Sequence, residues 1–176
     1  MDLDLLKYPI GKFKKPMEIR LEHIEGWMQE IESLPSKVSV ICKDLKEEDL
    51  ERIYRPGAWT IRQVVHHIVD SHLNAYIRFK WALTEANPSI KAYNEAAWAE
   101  TPDGKKGPLD FSVLMLEGLH SRWIYALKNL EKADWQKSYH HPDDKETVLI
   151  SEFIGKYAWH GKHHLAHIQQ ALDIDF

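Results

Sequence analysis

Apolar residues recur every three or four positions along several long stretches of the chain, which is the period of an amphipathic helix. The first stretch runs from Pro16 to about Leu45, and we expect Leu34-Pro35 to break or kink it because proline lacks an amide donor. Further helices are predicted from about Trp59 to Thr84, from Asp110 to about Leu130, and from about 147–151 to Leu172. The pattern therefore predicts four long helices.

Local signals predict where these helices begin and how they are connected. Thr60 followed by Gln63 fits a capping box at the start of the second helix, and Asp110 is the predicted N-cap of the third. Residues 86–109 are rich in Pro and Gly turn signals, which predicts a long connection with one helical turn around Asn94–Trp98. Residues 1–15 have no period and are predicted to form an irregular arm across the body.

The pattern lacks the alternation expected of strands, and Tyr139–Asp144 is interpreted as a turn. Four long helices in 176 residues predict an all-α protein, an antiparallel four-helix bundle with one long crossover. The length is typical of one domain, so we expect residues 1–176 to form a single bundle.

Composition and charge exclude several classes of protein. The net charge is −4, and the basic stripe that binds nucleic acid phosphates is missing, so no nucleic acid partner is expected. The sequence has no apolar run of about 18 residues, which argues against a membrane span. Cys42 is the only cysteine, which excludes an intrachain disulfide and a cysteine-ligated zinc site. The N-terminus does not resemble a signal peptide, and we expect a cytoplasmic protein.

Histidine is the one unusual count, with 11 residues, of which seven fall in two clusters on the second and last predicted helices. Residues four positions apart share a helix face, so His160/His164 and His163/His167 could each present two imidazoles to one metal ion. In a projection at about 100° per residue, His160 and His164 lie nearer the apolar arc, whereas His167 lies further from it and His163 points towards solvent. The spacing favours His160 and His164 as the inward pair.

A catalytic zinc site takes about three protein ligands and keeps an open position, so a third ligand is expected from the other cluster. There, His72 projects near the centre of the buried arc and His67 further from it. Geometry alone does not separate these two histidines. His66 is predicted to be exposed, with Asp70 one turn away as its partner.

Three other catalytic classes do not fit the sequence. A zincin protease needs His-Glu-x-x-His, and Gly161 occupies the position of the glutamate. Bundle di-iron proteins need two Glu-x-x-His motifs, and only Glu117–His120 matches. The Gly-x-Ser-x-Gly elbow of serine hydrolases is missing.

Several motifs together resemble one family over nearly the whole chain. They are Trp59–His67, Asp70-Ser71-His72, Tyr76–Lys80, Leu119–Trp123, His141-Pro142-Asp143 and Trp159–Ile168. The chain resembles the YfiT-like branch of the DinB superfamily. This resemblance implies a four-helix bundle, commonly a homodimer, that holds one Zn or Ni ion on three histidines. By motif position these are His67, His160 and His164.

The resemblance also implies an activity. Members of this branch are described as metal-dependent hydrolases, in which the metal would activate bound water against a small-molecule substrate. Relatives in the wider superfamily transfer a low-molecular-weight thiol such as bacillithiol, so a thiol S-transferase is the alternative. Cys42, beside Ile41, is expected to be buried and not to act as the nucleophile. A third possibility is a structural metal site, for which His72 would be a fourth ligand.

Catalytic side chains other than the metal ligands are not identified by the sequence. Asp70, His120 and His141 are candidate proton acceptors, and Arg78 and Arg122 are candidates for holding an anionic substrate. For each of them a structural or surface role is the competing interpretation.

Overall fold

The computed structural model describes residues 3–174. Residues 1, 2, 175 and 176, which belong to the predicted arm and the predicted single domain, lie outside this range. The described helices are α1 (Leu3–Lys7), α2 (Leu21–Lys43), α3 (Glu47–Leu50), α4 (Ile61–Thr84), α5 (Glu95–Ala99), α6 (Pro102–Lys106), α7 (Leu109–Lys128) and α8 (Ile150–Asp173). A 3₁₀ turn at Asp134–Gln136 precedes strands β1 (Ser138–His141) and β2 (Glu146–Leu149).

The four long helices form a bundle in which α2 and α4 each pack against both α7 and α8. This confirms the predicted all-α four-helix bundle with a long crossover. Contacts from His66 to Ser112 and from His72 to His120 show that α4 and α7 run in the same direction. The crossover, with α5 and α6 packed against α4, makes this possible because it carries the chain back along the bundle before α7 begins.

Two apolar clusters make up the core, one towards each end of the bundle. One contains Phe79, Trp123 and Phe153, and the other contains Ile68 and Leu116. Each long helix contributes to both clusters, and the buried His72 and His120 fall between the two sets along their helices. The bundle therefore has a layer of imidazoles across its middle.

The predicted break at Leu34-Pro35 is wrong, because α2 continues through Pro35 to Lys43. A proline in a helix cannot donate to the carbonyl four residues earlier, which here belongs to Ile31. The Ile31 carbonyl instead accepts a hydrogen bond of 2.6 Å from Nδ1 of His120 on α7. A tertiary hydrogen bond thus supplies the donor that the proline removes.

Some local predictions hold and others fail. Thr60 and Gln63 form the expected capping box, and Asn94 caps the short helix α5. The predicted absence of strands is wrong, since β1 and β2 form a four-pair antiparallel hairpin that is too short to show a periodic pattern.

Two helix ends also differ from the prediction. Helix α7 begins at Leu109, after Pro108, so Asp110 lies in the first turn, where its charge favours the helix dipole. The predicted irregular arm contains the short helix α1. In residues 3–174, no helix combines the length and apolarity needed to cross a membrane.

Candidate metal centre

Three histidines from two neighbouring helices meet on one side of the imidazole layer. They are His67 of α4 and His160 and His164 of α8, and one nitrogen from each lies within 4.8 Å of the other two. The Nε2 atoms of His67 and His160 are 3.3 Å apart. Two nitrogens bound to one zinc ion at about 2.0–2.1 Å in tetrahedral geometry would lie about 3.3–3.4 Å apart. This donor set therefore fits a single divalent ion.

Burial keeps these three rings neutral. Desolvation lowers the pKa of His67 to about 4, and it holds the pKa values of His160 and His164 well below the ordinary value. The indole of Trp59 covers His67, with ring centroids 4.6 Å apart. A metal ligand must be a neutral imidazole, so the electrostatics suit metal binding near pH 7.

A chain of hydrogen bonds runs from the Ile31 carbonyl to His160. Because a carbonyl only accepts, His120 Nδ1 must carry a proton, and the neutral ring then has a lone pair on Nε2. That nitrogen lies 3.0 Å from His72 Nδ1, which must donate to it. In turn His72 Nε2 accepts from His160 Nδ1 at 3.3 Å. The chain leaves His160 unprotonated on Nε2, the atom that lies 3.3 Å from Nε2 of His67.

A second, shorter chain acts on His164. The Lys7 carbonyl of α1 accepts from His167 Nε2 at 3.1 Å, so His167 carries its lone pair on Nδ1. His164 Nδ1 lies 3.4 Å from that atom and is its donor. The Nε2 lone pair of His164 is therefore also free. A backbone carbonyl thus orients both α8 histidines of the cluster, through two further imidazoles for His160 and through one for His164. A hydrogen bond from the second ring nitrogen is typical of histidines that bind a metal.

These chains predict the tautomers of the metal-free protein. Long-range ¹H–¹⁵N correlation spectra at pH 7.5 should show His120, His72 and His160 protonated on Nδ1, and His167 on Nε2. His23 is an internal control: its Nδ1 accepts from the Arg20 amide, so it should carry its proton on Nε2. A spectrum with His160 protonated on Nε2 would contradict the proposed direction of the first chain.

Histidines outside the cluster occupy other positions. Both ring nitrogens of His72 are engaged by imidazoles, so this residue lies behind His160. The prediction of an exposed His66 paired with Asp70 is wrong. Its ring is buried, with contacts to Ser112 Oγ at 2.7 Å and to the Gly107 carbonyl at 3.0 Å. The crossover covers the helix face that the projection left open.

The prediction that His163 faces solvent is also wrong, since both His163 and His167 are buried. Trp159 stacks on His163 with centroids 4.5 Å apart, and Tyr8 of the arm packs on it at 5.9 Å. Tyr54 stacks on His167 at 3.8 Å. The arm and the α3–α4 connection bury these rings.

A cavity of about 300 Å³ opens beside His160. Helices α4 and α8, the crossover and the β1–β2 turn supply its walls, which include Ser71, Arg78, Tyr93, His141, Tyr157 and Trp159. Because the cavity reaches His160, a small molecule in it could approach the cluster. Sequence reasoning did not identify Tyr93 or Tyr157, which carry no local motif.

The other candidate catalytic and substrate-binding residues from the sequence differ in whether they reach the cavity. His141 and Arg78 line the cavity, whereas Arg122 is exposed and lies over the ring of Tyr76. Burial and the nearby Asp103 raise the pKa of Asp70 to about 6, but Asp70 is outside the cavity wall. Burial raises the pKa of the Cys42 thiol to about 11, which agrees with the expectation that it is no nucleophile.

Comparison with known proteins finds similar proteins by sequence and by structure. A Bacillus cereus protein named "Putative metal-dependent hydrolase" is 55% identical over 163 residues, which cover 93% of each chain. The structure of YfiT from Bacillus subtilis, described as "a probable metal-dependent hydrolase with an unusual four-helix bundle topology", superposes with a TM-score of 0.93. It is 40% identical, and the alignment covers 96% of this chain and 97% of YfiT.

A more distant structure shares the fold alone. It is a mycothiol-dependent maleylpyruvate isomerase with a TM-score of 0.66 and 16% identity, and the alignment covers 82% of this chain and 60% of the isomerase. The family model of the DinB superfamily matches residues 30–168, which include all three clustered histidines. The protein therefore belongs to the DinB superfamily.

Proposed function

We propose that the protein is a metal-dependent hydrolase of small molecules in which His67, His160 and His164 hold one Zn or Ni ion. The observation that carries this proposal is the cluster itself: three neutral imidazoles face one point, and two of them are oriented so that Nε2 is the free ligand atom. The names of the relatives agree with this chemistry.

The coordination favours a catalytic site over a structural one. Structural zinc sites close with a fourth protein ligand, and His72, the candidate for that position, uses both nitrogens elsewhere. Within residues 3–174 the group that could hold a metal has three members. A divalent ion with an open position lowers the pKa of water towards about 7 and polarises a carbonyl group.

Side chains in the cavity can supply the remaining polar contacts. Burial raises the pKa values of Tyr157 and Tyr93, so both phenols stay protonated at neutral pH and can donate to an oxyanion. Of the three candidate proton acceptors, His141 lines the cavity, whereas both nitrogens of His120 are engaged. We therefore assign proton exchange with the substrate to His141.

Thiol transfer is the competing reaction, and one experiment separates the two. Protein loaded with Zn or Ni, and the same protein after chelation, would be incubated with a panel of nitrophenyl esters and anilides, with and without bacillithiol. We expect product release that requires metal and is independent of thiol. Turnover only with thiol would assign transfer, with the thiol as second substrate since Cys42 stays protonated. Equal rates with and without metal would overturn the proposal.

A further inference from the structure

Arg78 is a buried cation that lacks an anionic partner. Its side chain on α4 is only 8% exposed, its Nε atom has no hydrogen-bond partner, and Nη1 makes a long contact of 3.4 Å to the Tyr157 hydroxyl. In the described part of the chain, no carboxylate forms an ion pair with it. Burying a guanidinium in this way is unfavourable unless something compensates its charge.

Another arginine on the same helix shows what a satisfied site looks like. Arg62 is 5% exposed, and its guanidinium pairs with the carboxylates of Glu47 and Glu51 and donates to the Gly107 carbonyl. Burial on α4 therefore does not prevent an arginine from having acidic partners. The difference is that Arg78 faces the cavity beside His160, where a ligand can reach it.

The acidic residues around this cavity do not form ion pairs with Arg78. Glu95, Asp143 and Asp144 are exposed at its edge, and Asp144 lies 3.4 Å from Nδ1 of His141. Lys156 is also exposed there. These exposed side chains are hydrated, so water and salt screen their charges. Arg78 is desolvated, so its charge acts on a bound group with little screening.

Arg78 is also close to the metal centre. The Tyr157 hydroxyl contacts Arg78, and the ring of the same tyrosine lies 5.9 Å from the ring of His160. One phenol ring thus separates the guanidinium from the proposed ligand. A molecule that reacts at the metal could reach Arg78 with a group only a few bonds away.

We propose that Arg78 binds a carboxylate of the substrate, so the enzyme acts on small carboxylic acids that carry the bond to be cleaved near the acid group. The reaction in this inference rests on the proposed function, whereas carboxylate binding at Arg78 does not depend on it. The planar guanidinium fork matches the two oxygens of a carboxylate, and such charge-assisted pairs are strong where water is excluded.

The test uses a matched pair of substrates and a matched pair of variants. The substrates are the mono-nitrophenyl ester of glutaric acid and the same compound with its free acid blocked as a methyl ester. The variants are Arg78→Met and, as control, Arg122→Met on the exposed face of α7. We expect wild type and Arg122→Met to prefer the free acid by about 10- to 100-fold in kcat/KM, and Arg78→Met to lose that preference.

A binding measurement keeps the inference separate from the proposed reaction. Glutarate and benzoate would be titrated calorimetrically into metal-free wild type and both variants, after circular dichroism has shown that the variants are folded. Saturable binding that Arg78→Met abolishes supports the site even if no ester is hydrolysed. Equal binding by Arg78→Met, or no binding to wild type, would overturn it. Hydrolysis without preference for the free acid would overturn it while leaving the hydrolase proposal intact.

Discussion

His160→Ala should lose its bound metal and, with it, its hydrolytic activity. Replacing an outer partner of a metal ligand already lowers metal affinity by about 10- to 100-fold, so removal of a direct ligand is expected to cost more than about 100-fold. His67→Ala should behave in the same way, because its Nε2 lies 3.3 Å from that of His160. Elemental analysis after gel filtration measures metal content, and ester hydrolysis measures activity.

Two further variants make this result specific. His140→Ala removes a histidine from β1, where the backbone pairs with residues 88–90, and it should retain full metal content. His72→Asn disturbs the partner of His160 and should lower affinity by only about 10- to 100-fold. If His160→Ala and His67→Ala both kept full metal content, the proposed ligand set would be wrong.

Mild acid should unfold the metal-free protein. Burial lowers the pKa values of His67 and His120 to about 4, and it lowers those of His72, His160 and His164 well below the usual value. Below about pH 6.5 the unfolded chain binds protons at these five sites and the folded chain does not, so the free energy of unfolding falls with pH. The stability that these neutral histidines allow is fully present above about pH 6.5 and is lost as the pH falls towards 4.

The expected effect is large. Each ring lowers the free energy of unfolding by up to about 1.4 kcal/mol per pH unit, so these five rings together lower it by up to about 7 kcal/mol by pH 5.5. That is comparable with the total stability of about 5–15 kcal/mol for a typical domain. Asp70 acts in the opposite sense, because its raised pKa of about 6 means that the folded state binds the proton more tightly, but it is a single group.

Urea unfolding at pH 7.5, 6.5 and 5.5, followed by circular dichroism in the presence of a chelator, measures this dependence. The double variant His72→Leu, His120→Leu removes two of these groups and should give a shallower pH dependence. Added metal should stabilise the protein because it binds the folded state. Equal stability at pH 7.5 and pH 5.5 would contradict the view that these histidines are buried and neutral.

Most of the secondary structure could be predicted from the sequence, because a long helix repeats its pattern over several turns. The exceptions arise where a contact between distant segments overrides a local sequence preference. Pro35 was expected to break α2, but the His120 side chain replaces the missing donor at Ile31. A proline inside a helix is a signal that a carbonyl four residues earlier is free, and here that carbonyl begins the hydrogen-bond chain to His160.

The four amphipathic helices and the His160/His164 pair follow from the sequence alone, because both depend only on the geometry of one helix. The burial of the other histidines depends on how distant segments pack together. A projection measures angles around a single axis, whereas burial of His66 and His163 depends on the crossover and the arm, which come from distant parts of the chain. The packing of the helices also places His67 opposite His160, and it leaves Arg78 beside a cavity with no carboxylate of residues 3–174 paired to it. These arrangements arise only when the helices pack together, and the chemistry of the protein depends on them.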